Sequence, residues 1–212
     1  SMTFSSLSEA ATRIVNQTTG PYNTIQTAVD AASTGDIVEI QDSATYDENV
    51  LVSKTITIRG AVGQLPVISP SGGSYAFLMR SSPSCIFNNI KIDMRGRGSV
   101  YGFRATGTYP DYVGNGFTIT DVEVTNCGAS SWPVYLTLSS GTATINGLTI
   151  SNCTLGGSTS PIRLQSNAWS LSSITIQDCS GGFGVWLDNS KNGQTYDISS
   201  IFTFSGTNSF SW

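Results

Sequence analysis

Along the 212 residues the spacing of apolar positions changes once, near residue 35. Before that point it is helical. Leu7, Ala10, Ala11, Ile14 and Val15 share one helical face, and Ser6-Leu7-Ser8-Glu9 has capping-box spacing, so a helix is predicted there. A second short helix is predicted from about Thr24 to Ala32, with Ile25, Ala28, Val29 and Ala32 on one side. Asn23 caps its start, with Gln26 three residues on, and Gly35 closes its end. After Gly35 apolar and polar residues alternate. The runs DIVEI, ENVLV, KTITIRG, PVISP and YAFLM, separated by Gly, Ser, Asn and Pro, read as short strands.

The strands repeat. ITDVEV from Ile119, INGLTI from Ile145 and LSSITI from Leu171 share the pattern apolar-x-x-apolar-x-apolar and start 26 residues apart. FNNIKI from Phe87 fits upstream at a spacing of 32, and ISSIFT from Ile198 fits more loosely downstream at 27. Asn126-Cys127, Asn152-Cys153 and Asp178-Cys179 fall at one place in three successive repeats. Each repeat holds a second strand, at Val134, Pro161 and Gly184. A period near 26 without a helix suits a coil of short strands stacked on similar coils, a parallel β-helix. Ile90, Val122, Leu148 and Ile174 then form one internal ladder, and Ile92, Val124, Ile150 and Ile176 the next. The expected organisation is a single all-β domain: a helical cap over 1–35 and a solenoid of about seven coils over 36–212.

Composition narrows the chemistry. His is absent, which excludes Ser-His-Asp and Cys-His triads and His-ligated zinc or haem. A net charge of −4 from 10 basic and 14 acidic residues leaves no basic field for nucleic acid. No apolar run reaches the length of a membrane span, and no secretion leader is visible. Cys127, Cys153 and Cys179, one per coil, form a column about 4.8 Å between levels. It reads as an internal ladder of small apolar thiols. A disulfide between adjacent levels would leave one thiol unpaired, and a straight column does not surround a metal ion. Cys85 lies off the column and reads as core. Asn126, Asn152 and Asp178 suit a repeated tight turn, because Asn and Asp tolerate the left-handed conformation.

The stretch YNTIQTAVDAASTGDIVEIQDSATYDENVLVSKTITIRGA, residues 22–61, resembles the opening of pectin-lyase-like right-handed β-helix proteins, particularly pectin methylesterases. The resemblance implies a right-handed parallel β-helix whose end is capped by a helix. It carries no catalytic residue over, because the Asp-His pair, Arg-x-Pro-x-x-Arg, Asp-Phe-Ile-Phe-Gly and Arg-x-Trp motifs of the sugar-active members are missing.

Two constellations remain. Aligning Ile58, Ile92 and Val124 gathers Arg59, Lys91, Asp93, Asp121 and Glu123 on one sheet face, with Arg59 beside Asp93, Lys91 stacked on Glu123 and Asn89 on Asp121. Carboxylates beside a guanidinium could serve acid–base attack on a glycosidic bond or ester, or hold Ca²⁺ through oxygen. Alternating signs equally suit plain ion pairing between adjacent strands. The second set joins aromatics to arginine. The insertion between Gly107 and Gly116 carries Tyr109, Asp111 and Tyr112, with Tyr101, Arg104, Trp132 and Tyr135 near it in register and Arg163 and Trp186 two and three coils on. Insertions on a solenoid usually build its binding face, and aromatics with Arg suit sugar rings or uronate carboxylates.

The expected function is therefore that of an extracellular polysaccharide-directed protein, binding and in a catalytic version cleaving glycan as a lyase or hydrolase. The alternative is a non-catalytic phage tailspike, appendage or adhesin module on a virion surface, which would imply a homotrimer. No nucleic-acid partner is expected.

Overall fold

A computed structural model describes residues 9–105, 113–138, 141–166, 168–188 and 201–210. It is a parallel β-solenoid of about six turns. A ten-stranded sheet runs in the order β1 (Thr12–Val15), β2 (Ile37–Ile40), β5 (Ile56–Gly60), β8 (Ser82–Asp93), β10 (Val113–Thr125), β12 (Thr142–Ser151), β14 (Ala168–Gln177) and β16 (Phe202–Ser205). Two short strands, β3 (Thr45–Tyr46) and β6 (Val67–Ile68), pair beside it. A six-stranded sheet runs β15 (Trp186–Asp188), β13 (Ile162–Gln165), β11 (Trp132–Thr137), β9 (Tyr101–Ala105), β7 (Tyr75–Met79) and β4 (Val50–Val52).

The repeat pattern explains the long strands of the larger sheet. Apolar-x-x-apolar breaks two-residue alternation by one position, and a straight strand would turn the second apolar residue outward. Asn89, Asp121, Gly147 and Ser173 stand at that position with φ of 52°, 51°, 74° and 52°. One left-handed residue bends each strand, so both apolar flanks face inward. The ladder Ile90, Val122, Leu148, Ile174 and the ladder Ile92, Val124, Ile150, Ile176 are in register and buried. At the strand exits Asn126, Asn152 and Asp178 form a second left-handed column, with φ of 57°, 52° and 51°. The thiols of Cys127, Cys153 and Cys179 are free and buried just beyond it, and Cys85 is core. Between the sheets Phe77, Phe87, Phe103 and Phe117 pack with ring centroids 4.8–5.7 Å apart.

Helix α1 spans Ile25–Ala31 and closes the first turn with buried Ile25, Ala28 and Val29. Its cap is Thr24 rather than Asn23, and the helix ends before Gly35. Glu48 supplies the rest of the N-terminal capping, accepting from the amides of Ile25 at 2.8 Å and Gln26 at 2.9 Å. Lys54 donates to the carbonyls of Val29, Asp30 and Ala32 at the other end.

Three expectations are corrected. The helical cap over 1–35 is only partly helical: Thr12–Val15 is strand β1, in parallel register with Ile37–Ile40. Its β-branched residues extend the sheet edge, and buried Asp36 fixes it by accepting from the Ala11 amide at 2.8 Å and from Arg13 at 3.2 and 3.1 Å. The capping-box residues Ser6–Ser8 lie outside the described residues. At the C-terminus Phe202 and Phe204, not Ile201 and Thr203, pair with Ile174 and Ile176, a one-residue slip that reverses the faces. Among the described residues the turns number about six, where about seven were expected.

Candidate functional site

On the outer face of the six-stranded sheet, strand register places Leu78, Arg104, Tyr135, Arg163 and Trp186 in one row, one per strand from β7 to β15. Tyr75, Tyr101 and Trp132 form a row alongside. The cations and rings lie close together. The Arg163 guanidinium lies 4.3 Å from the Trp186 ring centroid, 4.7 Å from that of Tyr135 and 5.5 Å from that of Trp132. Arg104 lies 4.8 Å from the Tyr101 ring. Trp132 and Tyr135 meet at 4.9 Å, Tyr101 and Tyr135 at 6.1 Å. Phe183 packs edge-on against Trp186 at 5.7 Å and shares with it a shallow hollow of about 320 Å³.

Both guanidiniums are held by ring faces. Neither has a carboxylate partner among the described residues, and the buried Nε of Arg104 has no hydrogen-bond partner there. A cation held over a ring by the ring's quadrupole does not thereby use up its N–H donors. The arrangement can therefore receive an oxyanion in bidentate fashion against a half-exposed aromatic surface. The structure thus brings together Tyr101, Arg104, Trp132, Tyr135, Arg163 and Trp186, while Tyr109, Asp111 and Tyr112 lie outside the described residues. Tyr75 and Phe183 were missed by sequence reasoning. The Tyr75-x-Phe77 and Tyr101-x-Phe103 match, at the repeat spacing of 26, carried the signal for the first.

The proposed charge cluster on the larger sheet is not assembled as expected. Arg59 is not beside Asp93: in register it neighbours Asn88 and Glu39, and it donates to Glu39 Oε2 at 3.0 and 2.7 Å. The cause is the loop 61–66, which replaces the one-residue bend in this turn and shifts the alignment. β5 lies beside the first half of β8, and β6 takes the place beside Lys91 and Ile92. Lys91 does pair with Glu123, at 3.0 Å. Asp93 accepts from the Arg95 amide at 2.9 Å and from Asn126 Nδ2 at 3.0 Å, a turn-fixing role. Asp121 is exposed at its bend and borders an open groove of about 560 Å³ with Glu123, Thr149 and Gln177. The amide of Gln41, then the guanidinium of Arg59, hold the Glu39 carboxyl below its usual range. No group of three metal-ligating side chains forms among the described residues.

The fold and this face define the class, a parallel β-solenoid with an arginine–aromatic strip along one sheet. No protein-family model, curated protein or solved structure matches the chain. No helix among the described residues is long and apolar enough to cross a membrane.

Proposed function

We propose that the protein is a polysaccharide-directed β-helix that binds glycan on the outer face of its six-stranded sheet, outside the cell or on a virion surface. The observation that carries this reading is the cluster of Arg104 and Arg163 with Tyr101, Trp132, Tyr135 and Trp186, in which every guanidinium is positioned by rings and none is neutralised by a described carboxylate. Similarity of residues 22–61 to the capped start of pectin-lyase-like proteins supports it.

A binding module, of adhesin or tailspike type, is favoured over a lyase or hydrolase by the fate of the acidic residues. Glu123 is tied to Lys91, and Asp93 is tied to a turn. A general base must instead reach a substrate proton. A glycan array followed by calorimetry tests the reading. Trp132→Ala and Arg163→Gln are each expected to weaken binding by ~1–3 kcal/mol, the range for losing a central anchor. Unchanged affinity in both variants would move the site elsewhere. Release of reducing ends or unsaturated product, abolished by Asp121→Asn, would restore the catalytic version.

A further inference from the structure

We propose that Arg163 is a positioning residue: it joins two separate sets of rings into one platform, along which a glycan lies parallel to the solenoid axis. The glycan rests on the binding reading above, whereas the bridge rests on geometry alone. Leaving Arg163 aside, the rings fall into two sets. Tyr101, Trp132 and Tyr135 form the first, with Tyr101 and Tyr135 centroids 6.1 Å apart and Trp132 and Tyr135 centroids 4.9 Å apart. Trp186 and Phe183, edge-on at 5.7 Å, form the second. No ring contact among the described residues joins the two sets. Strand order gives the reason. β13 separates β11 from β15, so Tyr135 and Trp186 stand two strand spacings apart in their row, about 10 Å.

Arg163 occupies that gap. Its guanidinium lies 4.7 Å from the Tyr135 centroid, 5.5 Å from that of Trp132 and 4.3 Å from that of Trp186, so one cation attracts rings of both sets. No described carboxylate competes for it. Trp186 depends on this contact most, because its ring is 36% exposed and β15 ends the six-stranded order. Arg104, by contrast, lies over Tyr101 on its own strand and bridges nothing. A chain laid across β11, β13 and β15 meets Trp132 and Tyr135 at one end and Trp186 at the other, at a separation that Arg163 maintains. Ring surface suits the apolar face of a sugar whatever the charge of the glycan. A positioning role therefore makes a neutral glycan depend on Arg163 too, which a plain anion receptor would not.

The bridge is tested without ligand by fluorine NMR of the intact protein carrying fluorotryptophan, each line assigned by a Trp→Phe variant. Trp186→Ala is expected to move the Trp132 line in the parent, and to leave it in place once Arg163→Gln is present. A Trp132 line that Trp186→Ala does not move in the parent overturns the bridge. Calorimetry with a neutral gluco-octasaccharide and a hyaluronan octasaccharide tests the consequence for binding. Residues about 10 Å apart with no shared partner act independently to within about twofold, so Trp132→Ala and Trp186→Ala should instead depart from the product of their separate effects by more than that. A double variant that matches the product overturns the shared platform, and this cycle needs no change at Arg163. Arg163→Gln should weaken both octasaccharides by about threefold or more, and an unchanged affinity for the neutral one reduces Arg163 to an anion receptor and overturns the positioning role. Failure of every glycan on the array overturns the glycan reading, while the NMR result still decides the bridge.

Discussion

Asn89 offers the sharpest test of how the bent strands are built. Its backbone sits at φ 52°, and its Nδ2 donates to the carbonyls of Gly60 at 3.3 Å, Ala61 at 3.1 Å and Gln64 at 2.8 Å. One side chain thus closes the loop that replaces the bend in the preceding turn. An amide nitrogen has two hydrogens, so three acceptors share two donors. At about 0.5–1.5 kcal/mol net per hydrogen bond, losing both costs about 1–3 kcal/mol. Holding a residue with a Cβ in the left-handed region costs roughly a further 1–2 kcal/mol where no local polar group relieves it. Asn89→Gly should therefore cost about 1–3 kcal/mol, and Asn89→Ala about 2–5. Asn89→Asp keeps the shape and the backbone tolerance but turns a carboxylate on three carbonyls. It should be at least as costly as glycine near neutral pH and recover partly when protonated. Urea unfolding followed by circular dichroism measures the series. Asp121, at the same bend one turn on, is exposed, and Asp121→Gly should change stability by less than about 0.5 kcal/mol. Equal costs for the alanine and glycine variants would refute the backbone term, and an aspartate variant as stable as the parent would refute the carbonyl cage.

Two further expectations concern acid and thiols. The amides of Ser33 and Ala11, then Arg13, hold the Asp36 carboxyl below its ordinary range. Its contribution should be complete above the unfolded value of about 3.9 and fade as pH falls toward the folded one. Asp36→Ala should lose stability at pH 6 and show a flatter acid limb in urea midpoints, and an unchanged limb would rule the group out. The Cys153 and Cys179 thiols are pushed up, first by the neighbouring thiol of Cys127 and of Cys153 respectively, and then by burial. Together with Cys85 and Cys127 they should resist a disulfide reagent in native protein and react once denatured. Fast native reaction of three or more would contradict the buried column.

Much of the solenoid is legible in the chain because its repeats are equal. Where successive turns are 26 residues long, matching residues must stack, and the ladders through Val122, Leu148 and Ile174 follow from counting. The Cys column and the left-handed Asn–Asp column follow from the same count. Where turns differ in length, counting fails. Loop 61–66 gives Arg59 to Glu39 rather than Asp93, and a one-residue change near Ile201 gives the inner position to Phe202. Local propensity also yields to the sheet edge at Thr12–Val15, where backbone hydrogen bonds to β2 outweigh a helical pattern. The row from Arg104 to Trp186 was visible as a set of residues, but its cation–ring contact was not. Side chains far apart in sequence meet only when parallel register sets one turn on the next, and that register is a property of the assembled sheet.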